Sequence, residues 1–453
     1  MSTQVRCREA CIVVVVSLMV MVAGLGGVQL RNSVASAEAS TAPRAGSPPV
    51  WSTIIAHNDQ GIVLYPERLI ETADGGYAVL AFTMGHPDGT IWLGRFDAQG
   101  MLLWEEVYKI DYLFGGGAPK DVCQCADGGF AIIGTTPNIH GDMTHFLIRT
   151  EPDGMLRWKK MFPLLSGNIN QGGCSVMECG DGGFAMTGWR VADYFLHRID
   201  AEGNYLWHQF YSSAGSTFVD FVQCEDAGFA LAGTYNGDYI ALTRTNSTGG
   251  FLWEQNFTFP GAPLGLTFSG LKRTTDNGFI LYGETFGQGS NSAAFDIYLL
   301  RTDTNGVLLW NQTFGGPLHD TVFDAVQCSD GGYMLVGGTW RIGEDFRDIL
   351  LVRTNATGNQ DWNCTYPDHL PKGTFGIGII ESSPGVFVVC ADIVTICCSS
   401  VWLFSIPDIP PPDPNLPFLG IPPELIPAIL FVIAVVAVLV IFALVWILRQ
   451  RRM

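Results

Sequence analysis

Charge is scarce in this chain. Asp, Glu, Lys and Arg make up 15% of its 453 residues, and 25 Lys and Arg face 43 acids, a formal net charge of −18. No cluster of Lys and Arg interrupts that balance. A phosphate backbone would be repelled, so nucleic acid is not an expected partner. Familiar catalytic signatures are also missing. There is no Gly-x-Ser-x-Gly, no His-Glu-x-x-His and no P-loop, which leaves the common hydrolase and nucleotide sites without support. No His-x-x-x-His and no paired Cys-x-x-Cys provides zinc spacing. Upstream of residue 425 no stretch carries a convincing helical period.

Glycine, in contrast, is abundant at 54, and apolar residues reach 47%. That mixture suits short strands joined by tight turns rather than a disordered chain. One segment recurs. Its first anchor is Asp-Gly-Gly-aromatic at Asp74–Tyr77, Asp127–Phe130, Asp181–Phe184 and Asp330–Tyr333, with variants at Asp226-Ala227-Gly228-Phe229 and Asp276-Asn277-Gly278-Phe279. Its second is a Gly followed four residues later by Trp: Gly100 and Trp104, Gly154 and Trp158, Gly203 and Trp207, Gly249 and Trp253, Gly306 and Trp310, Gly358 and Trp362. Successive anchors are about 45 to 57 residues apart, the period of propeller blades and not of helical repeats. Within each repeat, four short apolar runs separated by Gly- and Asp-rich turns predict a four-stranded meander.

Six repeats are complete. After Trp362 three more strands are predicted, around 375–380, 386–391 and 401–405, with no fourth. Val50-Trp51-Ser52-Thr53-Ile54 looks like Leu103-Trp104-Glu105-Glu106-Val107 and lies one period before it. The expectation is an all-β, seven-bladed β-propeller of four-stranded blades, its last blade completed by the N-terminal strand, which protects the edges an open array would expose. The Gly-x-x-x-Trp anchor resembles the tryptophan-docking motif of pyrroloquinoline-quinone-type propellers, and the repeats resemble membrane-anchored surface propellers of archaeal type. The resemblance covers residues 50–406 and implies that each indole stacks on the neighbouring blade, its N–H meeting a backbone partner.

The two ends predict how the propeller is held. Arg6 and Arg8, an apolar run from Cys11 to about Leu25 and Ala35-Ser36-Ala37 read as a secretory signal peptide at 1–37, with an uncleaved anchor as the alternative. A linker at 38–48 leads into the propeller at 49–406. A Pro-rich stalk at 407–424 follows, an extended semi-rigid spacer. Residues 425–448 carry no charge after Leu425 and are long enough for one transmembrane helix. Arg449, Arg451 and Arg452 place the tail at 449–453 in the cytoplasm and the propeller outside, a single-pass type I arrangement at the cell membrane. Ten Cys lie in this disulfide-permissive setting. Cys125, Cys179, Cys224 and Cys328 share a repeat position with Thr72 and Thr274 and read as small semi-buried sites. Cys123, Cys174, Cys364, Cys390, Cys397 and Cys398 remain as disulfide candidates without assignable pairs.

Regular turns locate the variable ones. The Asp-Gly-Gly and Asp-x-x-Gly turns share one end of each blade, so the long connections share the other, where a ligand site is expected at the mouth of the central channel. Trp189, Tyr235 and Trp340 begin loops there and suit stacking on a sugar or gripping a peptide; the plainer reading is that they cap their own blades. His57, His86, His140, His145, His319 and His369 also fall in those loops, with His57, His140 and His319 counted among the ligand-binding candidates. Asp97-Ala98-Gln99-Gly100 and Asp303-Thr304-Asn305-Gly306 hint at calcium loops, but the distal Glu is missing and a hairpin turn explains all six. Cys397-Cys398 resembles the adjacent-Cys disulfide of some quinone-dependent dehydrogenases, which are typically larger and eight-bladed. No calcium-and-quinone constellation is assignable, and no cofactor, metal or catalytic residue is expected. The reading is a binding module for a protein or glycan, with a quinone-dependent or glycan-acting enzyme, or a structural envelope component, as alternatives. Five N-x-[ST] sequons, at Asn246, Asn256, Asn311, Asn355 and Asn363, lie on the outward side. Mass spectrometry of native material is expected to find glycan on them; five unmodified asparagines would refute it.

Overall fold

A computed structural model of the protein describes residues 50–408 apart from 57–61, 87–88, 111–116, 138–142, 163–170, 191–192, 213–218, 236, 260–264, 287–293, 317, 341–346, 367–372 and 395–398. The expected signal peptide, linker, transmembrane helix and tail, and the stalk after residue 408, lie outside the described residues. Among the described residues every element is a strand, and the strands form seven four-stranded antiparallel sheets. Blade one runs Val63–Glu71, Tyr77–Met84, Ile91–Phe96 and Leu102–Tyr108 in that order across the sheet. Blades two to six repeat this meander over 118–162, 171–212, 219–257, 270–314 and 320–366. Blade seven contains Thr374–Ser383, Val386–Val394 and Ser399–Pro407, and Trp51–Ile55 lies antiparallel to the last of these, Trp51 opposite Ser405. Each inner strand packs on the next, and Thr374–Ser383 packs on Val63–Glu71. The result is a seven-bladed propeller.

Burial explains the residue pattern. The second and third strands of a blade are covered on both faces, so they read as continuous apolar runs: Ala78, Val79, Leu80, Ala81, Ile91, Trp92 and Leu93 are all buried. Outer strands face solvent and carry more polar residues. Seven apolar clusters, each shared between neighbouring sheets, make up the core.

Both repeat anchors serve contacts between and within blades. The indole of Trp51 lies against Gly100, Trp104 against Gly154, Trp158 against Gly203, Trp207 against Gly249, Trp253 against Gly306 and Trp310 against Gly358. In every case a Cβ on the glycine would press on the ring, at Gly203 together with the Lys160 side chain. The same indoles meet the aromatic of the next blade's Asp-Gly-Gly turn, as with Trp104 and Phe130 at 5.9 Å and Trp310 and Tyr333 at 5.6 Å between ring centres. The Asp-Gly-Gly turn is closed by a buried arginine. Arg95, Arg149, Arg198, Arg244, Arg301 and Arg353, their side chains 3 to 9% exposed, each pair with the turn's Asp. Each also donates to the carbonyl of the following residue. A buried cation needs this pairing.

The calcium-like turns obey simpler physics. Asp97 accepts from the backbone N–H of Gln99 at 2.9 Å and of Met101 at 2.8 Å, and the neutral Asn246 and Asn355 do the same in their turns. The side chain serves as an Asx turn, for which charge is unnecessary.

The cysteine pattern also resolves. Cys123, Cys125, Cys174, Cys179, Cys224, Cys328, Cys364 and Cys390 are all free thiols, and Cys397 and Cys398 lie outside the described residues. Cys125 and its counterparts take the turn position where Thr72 and Thr274 stand, their backbone N–H bonded to the second glycine's carbonyl.

The first glycine of the turn sits at φ between 78° and 88° at Gly75, Gly128, Gly182 and Gly331, and the two variants place Ala227 at 62° and Asn277 at 66°. Asn tolerates that region; Ala does not. Ala227→Gly is therefore expected to stabilise the protein by about 0.5–1 kcal/mol, after the unfolded-state entropy of glycine is subtracted. Urea denaturation at pH 7 checks this, and an unchanged or lower midpoint contradicts it.

Candidate functional site

Five inner strands carry a bulge, after Pro66, Pro119, Gly173, Val322 and Gly376. A bulge re-aims the side chain that follows, and here it brings Arg68, Asp121, Ser175 and Asp324 into one ring with Asp220. Arg68 Nε lies 3.1 Å from Asp121 Oδ1, and Lys272 Nζ lies 3.2 Å from Asp324 Oδ1. Burial alone would lower the Arg68 pKa; the charges of Asp121, Asp324 and Asp220 overcome this and raise it. A guanidinium under the influence of blades two, four and six must stand near the ring axis. Each of these acids also accepts a backbone N–H from the next blade: Val176 to Asp121 at 3.0 Å, Leu271 to Asp220 at 3.0 Å, and Ile379 to Asp324 at 3.2 Å. Burial raises the Asp220 pKa, whereas Lys272 and Arg68 outweigh burial at Asp324 and lower it. These groups are bonded to one another across the blades, so they fasten the channel.

The variable end of the ring carries a different chemistry. Trp340 ends the second strand of blade six, and Arg347 begins the third, with its guanidinium carbon 4.9 Å from the indole centre. The same guanidinium lies 5.7 Å from the ring of Phe375 on blade seven, a second cation–π contact. His319 stands 6.2 Å from Trp340 and 5.7 Å from Phe295 of blade five, and its Nδ1 accepts the Phe295 backbone N–H at 3.1 Å. Phe286 and Phe323 extend the cluster toward Phe295 and Phe375. All these side chains are half-buried. Two acids border them. Burial raises the pKa of Glu284, against the Thr267 bond and Arg347, and raises that of Asp320, against its bonds from Thr339 and Gly316. Blades five, six and seven thus share an aromatic shelf with one cation at its centre.

Of the expected site residues, Trp340 and His319 come together on this shelf. Trp189 stands on blade three, opposite Tyr194, and Tyr235 on blade four is stacked on Tyr239 at 4.7 Å. His57 and His140 lie outside the described residues, as does His369. His145 is a correction: it is not in a loop but in the third strand of blade two, fully buried. Its Nε2 lies 3.3 Å from Nδ1 of the buried His197 on blade three. Sequence reading missed Arg347 and Phe375; the only signal was an arginine opening the strand Arg347–Thr354.

The histidine pair makes stability depend on pH. Burial depresses both; beyond it, the His197 imidazole helps push His145 well below 6.5, and that of His208 helps push His197 to about 3. Unfolded, both bind a proton near pH 6.5, so the folded state gains its full advantage above that value and loses it as pH falls toward 3. Between pH 7 and 5 the pair is expected to cost about 4 kcal/mol of stability. Replacing both, as His145→Phe with His197→Leu, should flatten the urea-midpoint profile over that range; an equally steep profile in the variant would assign the loss elsewhere.

No family model matches the sequence, and no curated protein does. Solved structures similar to it include two proteins of unknown function. One is from Bacteroides caccae, with 10% identity, a TM-score of 0.40 and coverage of 67% of this chain and 93% of that one. The other is from Dyadobacter fermentans, with 12% identity, a TM-score of 0.46 and coverage of 79% and 98%. A third is BBS1N, solved in complex with ARL6DN, with 9% identity, a TM-score of 0.45 and coverage of 76% and 93%.

Proposed function

We propose that the protein is a surface module that binds a protein or glycan through the variable-loop end of its propeller, with Trp340, Arg347 and Phe375 as the central platform. The observation that carries this reading is the half-buried guanidinium lying 4.9 and 5.7 Å from the centres of two aromatic rings. Flat apolar faces beside a fixed donor fork suit a sugar ring or an extended peptide. Trp189 and Tyr235 would add contacts from blades three and four.

In this reading the N-terminal strand fastens the ring, and the register of Trp51 with Ser405 supports it. The seating of each indole on the next blade's glycine supports the resemblance to tryptophan-docking propellers. The apolar run at 425–448 would anchor the module in a membrane through the Pro-rich stalk. Among the described residues no helix is long and apolar enough to cross one, and that run is not among them. The sequons at Asn256, Asn311 and Asn363 stand on the outer strands of blades four, five and six, and those at Asn246 and Asn355 in outer turns, where attached glycans would face outward.

Glycan and peptide arrays probed with the purified full chain test the reading. A bound class is expected, with Trp340→Ala weakening it by roughly tenfold or more while thermal unfolding is little changed. Binding that survives Trp340→Ala and Arg347→Ala would move the site elsewhere.

A further inference from the structure

At the regular-turn end, opposite the aromatic shelf, neighbouring blades are fastened by a repeated clasp. A residue at or near the end of an inner strand extends a side-chain oxygen to a backbone N–H in the turn of the preceding blade. Gln124 takes Ala73 N–H, Glu178 takes Ala126, Gln327 takes Thr275 and Glu381 takes Ser329, at 2.5 to 2.8 Å. Between blades four and five Arg273 occupies the position and lies 3.8 Å from Glu225 instead.

Between blades three and four both halves of the clasp are present but apart. Gly180 offers the N–H and Gln223 the carboxamide. Gln223 is held to its own turn, Nε2 donating to Ala227 O at 3.4 Å, as Gln124 donates to Gly128 O at 3.3 Å. Yet no bond crosses from Gly180 N–H, which has no acceptor among the described residues. A cavity of about 320 Å³ lies there, lined by Gly180, Asp181, Arg198, Gln223, Glu225 and Ser247 among others. A Cβ on Gly180 would meet nothing within 4 Å.

We propose that this gap is a binding site for a neutral amide, the group presented by a carboxamide side chain or a peptide bond. Its carbonyl accepts from Gly180 N–H and its N–H donates to Gln223 Oε1, so that one inserted amide completes the clasp that four other junctions make directly. A donor and an acceptor that line one cavity call for a ligand that carries both, and a neutral amide does. A carboxylate could satisfy Gly180 but would turn an anion toward Gln223 Oε1, Asp181 and Glu225, and Arg198 is already engaged by Asp181 at 2.6 Å. The cavity volume suits a small group or a single side chain.

Saturation-transfer NMR with the purified full chain tests this, using acetamide, N-methylacetamide and acetate as separate probes. Both amides are expected to receive saturation and acetate not; N-methylacetamide alone would assign the site to peptide groups, and acetamide alone to carboxamide side chains. Gly180→Phe, which fills the cavity from a position with open space, should abolish the amide signal. Gln223→Met, which removes the acceptor and keeps the shape, should abolish it too and keeps the test decisive if the first variant does not fold. Equal or stronger transfer to acetate, or amide signals unchanged in the folded variants, would overturn the proposal and leave the gap a water-filled cavity.

Discussion

The seat that a bare glycine leaves for the previous blade's indole is the contact on which this ring depends. Gly154 accepts Trp104, and the turn that follows Asp127 presents Phe130 to the same indole. The two anchors of one repeat therefore converge on the tryptophan of the repeat before it. Neither anchor is free to vary alone. A side chain at the glycine would lift the indole from its seat, and a smaller residue in place of the indole would leave a void between two sheets, a loss of several kcal/mol in a close-packed interior. Because blades one to six each carry the seat, a single segment copied along the chain supplies six of the seven junctions, and Trp362 packs on the core between blades six and seven without a glycine seat.

That reciprocity is why the fold was legible. Turn chemistry is written in residue identity: a position at φ near 80° favours glycine, and the Asx turn needs an oxygen at its first residue, so Asp97 and Asn246 are interchangeable there. The strands were legible because two of four per blade are buried on both faces. The turn arginines were hidden by the same fact. Arg149 ends an apolar run and reads as its boundary, whereas it lies inside the blade, neutralised by Asp127. His145 misled for the opposite reason. A polar residue between long connections suggests a loop, and only the partner imidazole of His197, half a hundred residues away in sequence, lets it lie in the core.

The candidate site was less legible, for reasons of distance. Trp340 and His319 could be placed at the correct end of a blade from the turn pattern alone. Their assembly with Arg347, Phe375 and Phe295 joins three blades, and no local pattern encodes which neighbours a rim residue meets. The inner-strand bulges add a second obstacle. One inserted residue turns the following side chain to the other face, so Asp121 and Asp324 occupy positions that strict alternation along their strands assigns differently.

The channel shows how an odd number of blades is accommodated. Asp121, Asp220 and Asp324 stand on blades two, four and six, and each reaches into the next blade, where the equivalent residue is Ser175, Gly270 or Gly378. The small residue keeps the neighbouring side chains in place: a Cβ on Gly270 would strike Tyr282, which itself donates to Asp324, and one on Gly378 would strike Leu69. Acid and small residue thus alternate in three couples, and with seven blades one is left over. That one is blade one, and it carries Arg68. Three carboxylates brought toward one axis would repel each other in a poorly solvated space, and the unpaired blade supplies the cation that relieves this, assisted by Lys272. The odd blade is therefore the one position where an arginine can enter without displacing an acid–small couple. With its interior committed in this way, the ring has its uncommitted polar and aromatic groups at its two ends, the aromatic shelf at one and the open clasp at the other, which is why both proposals place recognition there.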